Sequence, residues 1–202
     1  MFNNPINSMR SLSSYLKTQT RFTVGGTISD KLLIFDVDDT LINTTASIWV
    51  MKDNKPIKKL SNSEYNNYRL KDGEWFDYRE FDDPKILHKE TFTKYWDTLK
   101  REYSKGTHIS ILTARSIGDE IREFFLNNGI DIKQQLIFAV GDSNMGMTGS
   151  VQDRKAKIIG ELALLGYKTM VFFDDNEGNL NAAKALEKKF NIKIHTVKAG
   201  KV

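Results

Sequence analysis

Leu32-Leu33-Ile34-Phe35-Asp36-Val37-Asp38-Asp39-Thr40-Leu41 is the stretch on which the reading of this chain turns. Four large apolar residues in a row mark a strand buried on both faces, as in a parallel sheet. Three carboxylates in the next four positions are costly beside such a strand unless a cation or protons offset them. The pattern therefore points to a divalent metal and a chemical role at the strand's end.

Further apolar runs occur at His108–Leu112, Leu136–Val140, Thr169–Phe173 and Ile192–Val197. Each has the length and β-branched or aromatic content of a buried strand. Helical spacing fills the later intervals. Ile121, Phe124 and Phe125 share one face within 117–128, before Gly129. Ile158, Ile159, Leu162 and Leu165 do so within 155–165, before Gly166, and Leu180, Ala183, Leu186 and Phe190 within 180–190. Strand alternating with helix predicts an α/β, Rossmann-like fold: a parallel sheet of about five strands with helices on both faces. Sites in such sheets lie at the carboxyl ends of the strands.

Residues 43–105 interrupt the alternation and predict a small cap or insertion after the first strand. Ser47–Met51 and Ile57–Leu60 flank the polar turn Lys52–Pro56 and read as a hairpin. An aromatic, charged stretch follows with Tyr65, Tyr68, Trp75, Phe76, Tyr78 and Phe81, then a helical pattern over 91–103 carrying Phe92, Tyr95, Trp96 and Leu99. Two readings of the insertion stay open. Its lysines (Lys52, Lys55, Lys58, Lys59) and aromatic rings suit a nucleotide or nucleic-acid end. Alternatively the rings are the core of a lid and the lysines its solvated rim, a reading favoured by the interleaved acids Glu74, Asp77, Glu80, Asp82 and Asp83.

Composition narrows the classes. The 202 residues, 40% hydrophobic, suffice for one core with an insertion, and the absence of cysteine removes disulfides, thiolate metal sites and a cysteine nucleophile. No apolar run approaches the roughly 20 residues of a membrane span, so no membrane partner is expected. The net charge of +4 is concentrated in residues 1–29, where Arg10, Lys17 and Arg21 meet no acid; the rest carries an excess of +1. This stretch predicts a flexible basic N-terminal extension to a domain at 30–202. Cytoplasmic location is expected, although an acid-free, Ser- and Arg-bearing N-terminus is also the composition of a transit peptide.

Other groups collect at the predicted strand ends. Ile111-Leu112-Thr113-Ala114-Arg115 brings a hydroxyl and a guanidinium, both suited to an anion. Phe173-Asp174-Asp175-Asn176 brings two more acids. Lys155, at the expected start of a helix, combines its charge with the positive end of the helix dipole, with Lys157 a rival two residues on. Asp175 reads either as a metal acid or as the N-cap of the following helix, and Arg115 either as a substrate contact or as a surface ion pair. His88, His108 and His195 lack metal-ligand spacing.

Asp36-Val37-Asp38-Asp39-Thr40 resembles the DxDxT signature of the haloacid dehalogenase (HAD) superfamily. Ile111-Leu112-Thr113, Lys155 and Asp174-Asp175 are similar to its second, third and fourth motifs, in the same order. The resemblance covers about residues 31–197. It implies a HAD-type core, Mg2+ and phosphoryl transfer through an aspartyl-phosphate. On that resemblance Asp36 is nucleophile and metal ligand. Asp38 is general acid and base, with a backbone carbonyl on the metal. Thr113 and Lys155 bind the phosphoryl group, Arg115 contacts substrate, and Asp174 and Asp175 complete the metal site. Asp39 occupies a variable position of the signature. Phage HAD hydrolases and the 3′-phosphatase domain of polynucleotide kinase-phosphatases look most similar, which implies a nucleotide or nucleic-acid terminal phosphate as substrate. The aromatic-rich insertion departs from the latter. A sugar phosphate or other small metabolite is the second expectation, and a catalytically silent HAD-like binding module the third.

Overall fold

A computed structural model describes residues 23–24, 27–28, 30–133 and 136–200 of the chain. The expectation for 1–29 therefore falls outside the described residues, apart from two short paired strands, β1 (Thr23–Val24) and β2 (Thr27–Ile28). The chain divides into two compact units, one of residues 1–43 and 92–202, the other Thr44–Thr91.

The larger unit begins with β3 (Lys31–Phe35) and β4 (Ile42–Asn43). Beyond the inserted unit, β8 (Thr91–Phe92) leads into α3 (Lys94–Ser104), β9 (His108–Thr113), α4 (Gly118–Asn127) and β10 (Ile137–Ala139). Then come α5 (Val151–Ala163), β11 (Thr169–Asp174), α6 (Glu177–Lys184), α7 (Leu186–Phe190) and β12 (Lys193–Lys198). Five strands form one parallel sheet in the order β10-β9-β3-β11-β12. Leu32, Leu33, Ile34 and Phe35 are all buried, so both faces of β3 are covered, as their unbroken apolar run requires. This is a Rossmann-like α/β architecture. The chain winds outward from β3 on one side, then crosses back to β11 on the other, and the crevice of such a switch point opens at the strands' carboxyl ends.

Register decides what meets there. Phe35 pairs with Phe173 on one side and Ile111 on the other, and the rings of Phe35 and Phe173 stack at 4.4 Å. The following residues, Asp36 and Asp174, therefore emerge side by side, with Thr113 on the next strand.

The inserted unit contains β5 (Ile48–Lys52), β6 (Lys55–Leu60), α1 (Asn62–Asn67), β7 (Glu74–Asp77) and α2 (Pro84–Leu87), its strands forming an antiparallel sheet in the order β6-β5-β7. The hairpin is tighter than the sequence predicts. Only Asp53 and Asn54 form the turn, with φ of 51° and 59°, the left-handed pair that a two-residue hairpin loop demands. Pro56 thus lies within β6, an edge strand, where a missing N–H is tolerated. Tyr65, Tyr68, Phe76 and Phe81 pack on Ile48, Val50 and Leu60, so these four rings belong to the inserted unit's own core. Trp75 and Tyr78 stay exposed.

The insertion also ends earlier than 105. Trp96 of α3 lies 5.4 Å from the ring of Phe125 and 5.8 Å from that of Phe124, both on α4, so the helix belongs to the larger unit. Its aromatic composition, like that of the insertion, conceals this boundary in the sequence. Among the described residues no helix is long and apolar enough to cross a membrane.

Glu90 ties the start of the inserted unit to its end. Its Oε1 accepts from the Thr45 amide at 2.7 Å, the Thr45 hydroxyl at 3.0 Å and the Thr44 hydroxyl at 3.4 Å. Glu90→Ala removes the acceptor of the Thr45 amide and hydroxyl at a cost of about 1–3 kcal/mol. Amide hydrogen exchange in 44–91 should accelerate while the amides of β3, β9 and β11 keep their protection.

Candidate active site

Asp36 leaves β3 with its amide donating to Phe173 O at 2.9 Å, which locks it to the neighbouring strand end. The chain then turns sharply. The amides of Thr40, Leu41 and Ile42 all converge on Val37 O, and Asp39 takes φ of 52°. Asparagine and aspartate tolerate that left-handed conformation better than most residues. Asp39 is thus a buried turn residue whose charge also acts on Asp175.

Lys155 joins the two acidic strand ends. Its Nζ donates to Asp36 Oδ1 and to Asp174 Oδ2, each at 2.8 Å, and all three side chains are buried. The rival Lys157 is exposed on the same helix. The helix itself opens earlier than 155. Ser150 caps α5 with a reciprocal Asp153 bond, and Lys155 sits beyond its first turn. The helix dipole fades over that distance, so ion pairing rather than the helix end holds the ammonium.

Asp174 is further fixed by two partners. The Asn176 amide donates to Oδ1 at 2.8 Å, and Asn179 Nδ2 reaches both carboxylate oxygens at 3.0 and 3.1 Å. The role of N-cap for α6 falls to Asn176, whose side chain accepts from Gly178 and Asn179, and not to Asp175. Asn179 has a legible signal in hindsight: a polar residue on the buried stripe of α6, four positions before Ala183.

Asp36, Asp174 and Asp175 each offer a carboxylate oxygen, and these atoms lie within 4.8 Å of one another. Three hard oxygen donors at that spacing fit a divalent cation such as Mg2+. The Asp38 carboxylate stands outside this group, in keeping with the expectation that its metal contact would run through the backbone carbonyl. Arg115 forks its carboxylate, Nε to Oδ2 at 3.0 Å and Nη2 to Oδ1 at 2.7 Å. Arg115 is 1% exposed, so its pair with Asp38 is a buried one and not a surface ion pair. Thr113 is buried at the end of β9, where its Oγ1 accepts the Arg115 amide at 3.2 Å and its own O–H remains a donor.

The charges do not balance. Burial pushes the Asp36 carboxyl well above its ordinary range; Lys155 pulls it down, and Asp174, Asp175 and Asp38 push it further up. Burial alone would depress Lys155, yet Asp174 and Asp36 together raise it above the usual lysine range. The lysine's direction follows from two carboxylates around one ammonium, and that of Asp36 from burial first and the neighbouring acids second. Asp175 is pushed up to about 6, by burial first and then by Asp174.

Gly141 is a residue that motif reading passes over. Its amide donates to Arg115 O at 3.1 Å, and a Cβ there would stand 2.2 Å from Ala114 O. Only glycine lets the loop after β10 lie against the Ala114-Arg115 backbone.

No family model, curated protein or solved structure matches this chain, so the reading of the site rests on its geometry.

Two outcomes follow. A folded-state value of about 6 for Asp175, against the ordinary 3.8, means that the folded protein holds the proton more tightly than the unfolded chain. That stability is present at low pH and lost as pH rises through about 6. A cation binding the ionised triad opposes this loss. Saturating Mg2+ should raise Tm by on the order of 5–10 °C at pH ~7.5 and by clearly less at pH ~5, read by thermal melts with and without chelator. Separately, Gly141→Ala should lower stability by about 1–3 kcal/mol in denaturant titrations, because backbone must move to admit the methyl group.

Proposed function

We propose that the chain is a HAD-type, magnesium-dependent phosphomonoesterase that works through an aspartyl-phosphate on Asp36. The observation that carries this reading is the carboxylate of Asp36, held by Lys155 beside Asp174 and Asp175 at the switch point of a parallel sheet. A nucleophilic carboxylate divides hydrolysis into two easier displacements.

In the first, an Asp36 oxygen bonds to phosphorus as the ester P–O bond breaks, and Asp38 gives its proton to the leaving oxygen. In the second, water attacks the phosphoryl group, Asp38 takes up the water proton, and Asp36 is released with inorganic phosphate. Lys155, bonded to Asp36 Oδ1, orients the nucleophile and supplies positive charge beside the transferring group. Thr113 has a hydroxyl proton to donate to a phosphoryl oxygen at the end of β9. Asp36, Asp174 and Asp175 would hold Mg2+, which supplies further charge neutralisation to the phosphoryl oxygens.

For substrate we propose a nucleotide or a nucleic-acid 3′-terminal phosphate. Support comes from the Leu112-Thr113-Ala114-Arg115 turn, which resembles that of phage HAD phosphatases. The hairpin lysines do not make one patch: Lys58 lies over Tyr68 at 5.2 Å, whereas Lys59 lies over Trp49, whose side chain points to the opposite face of the sheet. A short strand end or mononucleotide fits that distribution better than a long duplex.

Hydrolysis of nitrophenyl phosphate should require Mg2+ and fall by roughly 10³-fold or more in Asp36→Asn. Metal-independent release would remove the magnesium-dependent mechanism, and no release at all would remove the enzyme reading and leave a binding module. Given activity, 3′-phosphorylated oligonucleotides and mononucleotides should be cleaved with higher kcat/KM than sugar phosphates; the reverse order would assign the enzyme to small metabolites.

A further inference from the structure

We infer that Arg115 is a positioning residue, which fixes Asp38 for proton transfer to the leaving group and does not itself grip the phosphate; the assignment rests on the phosphatase reading above. Arg115 is among the largest fully buried side chains of the protein. Burying a guanidinium and a carboxylate together seldom stabilises a fold more than apolar side chains of equal volume would. Folding alone therefore gives little reason for this pair, which spans 77 positions of sequence to bring β9's end to the turn after β3.

The geometry says what the pair does. Two parallel N–H···O bonds fix both the position and the plane of a carboxylate, which a single ammonium could not do. Arg115 is tied down in turn at its backbone. Its amide donates to Thr113 Oγ1, and its carbonyl accepts from Gly141 on the loop that leads to α5 and Lys155. One residue thus joins the proton-transfer group, the phosphate hydroxyl and the approach to the lysine helix. The guanidinium forks the Asp38 carboxylate, so a loss of Arg115 should be felt wherever Asp38 acts.

Leaving groups separate this role from phosphate binding. A nitrophenolate departs with little help from a proton, whereas an alkoxide depends on one. Wild type, Arg115→Lys, Arg115→Met, Asp38→Asn and the Asp38→Asn/Arg115→Lys double variant would be assayed on nitrophenyl phosphate and on glycerol phosphate. Loss of Arg115 should lower kcat on the alkyl ester by about 100-fold and on the nitrophenyl ester by less than about tenfold, with KM changed by less than about threefold. The ratio of the two rates comes from one preparation, so a partly unfolded variant does not distort it. In the Asp38→Asn background the further loss should stay below about threefold, because the partner is already gone. Equal losses on both esters, a large rise in KM, or losses that multiply in the double variant would overturn the assignment. A wild type inactive on every ester would overturn the phosphatase reading with it, whereas an active wild type with uniform losses would overturn this assignment alone.

Discussion

The ammonium of Lys155 between Asp36 and Asp174 is the contact on which the rest of the structure turns. Parallel pairing of β3 with β11 forces the two carboxylates together, whatever else the fold does. At under 5 Å, two such charges repel by roughly 3–4 kcal/mol even at an effective dielectric near 20. A cation must therefore reach the sheet end from a separate element, and α5 delivers it. Ser150 and Asp153 cap that helix, while Ile158, Ile159 and Leu162 bury its lower face. An apolar trio would fill the same space at less cost in desolvation. On the proposed reading the arrangement is chemistry held in place by a fold, at a cost in desolvation that the fold itself does not require.

The second ion pair, Arg115 with Asp38, repeats this logic one strand away. Between them the two pairs account for the order of the motifs along the chain. Each acid stands at the end of one strand, and each cation arrives on an element that follows another. The inserted unit leaves the chain just beyond the Val37–Ile42 turn. On return, Thr93 bonds back to it, its amide donating to Leu41 O and its hydroxyl to Thr40 O. The turn that carries Asp38 is thereby braced on both sides of a long excursion.

Much of this was legible in the sequence, for physical reasons that differ from element to element. Leu32–Phe35 and Thr169–Phe173 announce themselves because a strand covered on both faces can hold only apolar residues. The start of α5 is hidden in the sequence because the apolar stripe begins at Ile158, whereas the helix begins at its cap, Ser150. The limit of the insertion is hidden too, because Trp96 and Phe92 read like the aromatics before them, although Trp96 packs on α4. The partner of Arg115 was out of reach altogether. Nothing local to Thr113-Ala114-Arg115 indicates a carboxylate 77 positions away, and both a phosphate and an acid satisfy the same guanidinium fork.

Charge sets the order in which such a site can be filled. Asp36, Asp38, Asp39, Asp174 and Asp175 crowd one sheet end, and the buried cations that answer them are Lys155 and Arg115. Burial first, and this excess second, explain why Asp36 and Asp175 both hold their protons more tightly than ordinary carboxyls do. A dianionic phosphate approaching that excess is repelled unless protons or a divalent cation first offset it. Protons are the poorer remedy, since a protonated Asp36 is no nucleophile. On the proposed reading the acids must therefore be neutralised by a metal before substrate arrives, with the nucleophile left ionised. Asp39, which has no step of its own in the chemistry, still contributes to this requirement: its charge beside Asp175 deepens the deficit that a cation fills.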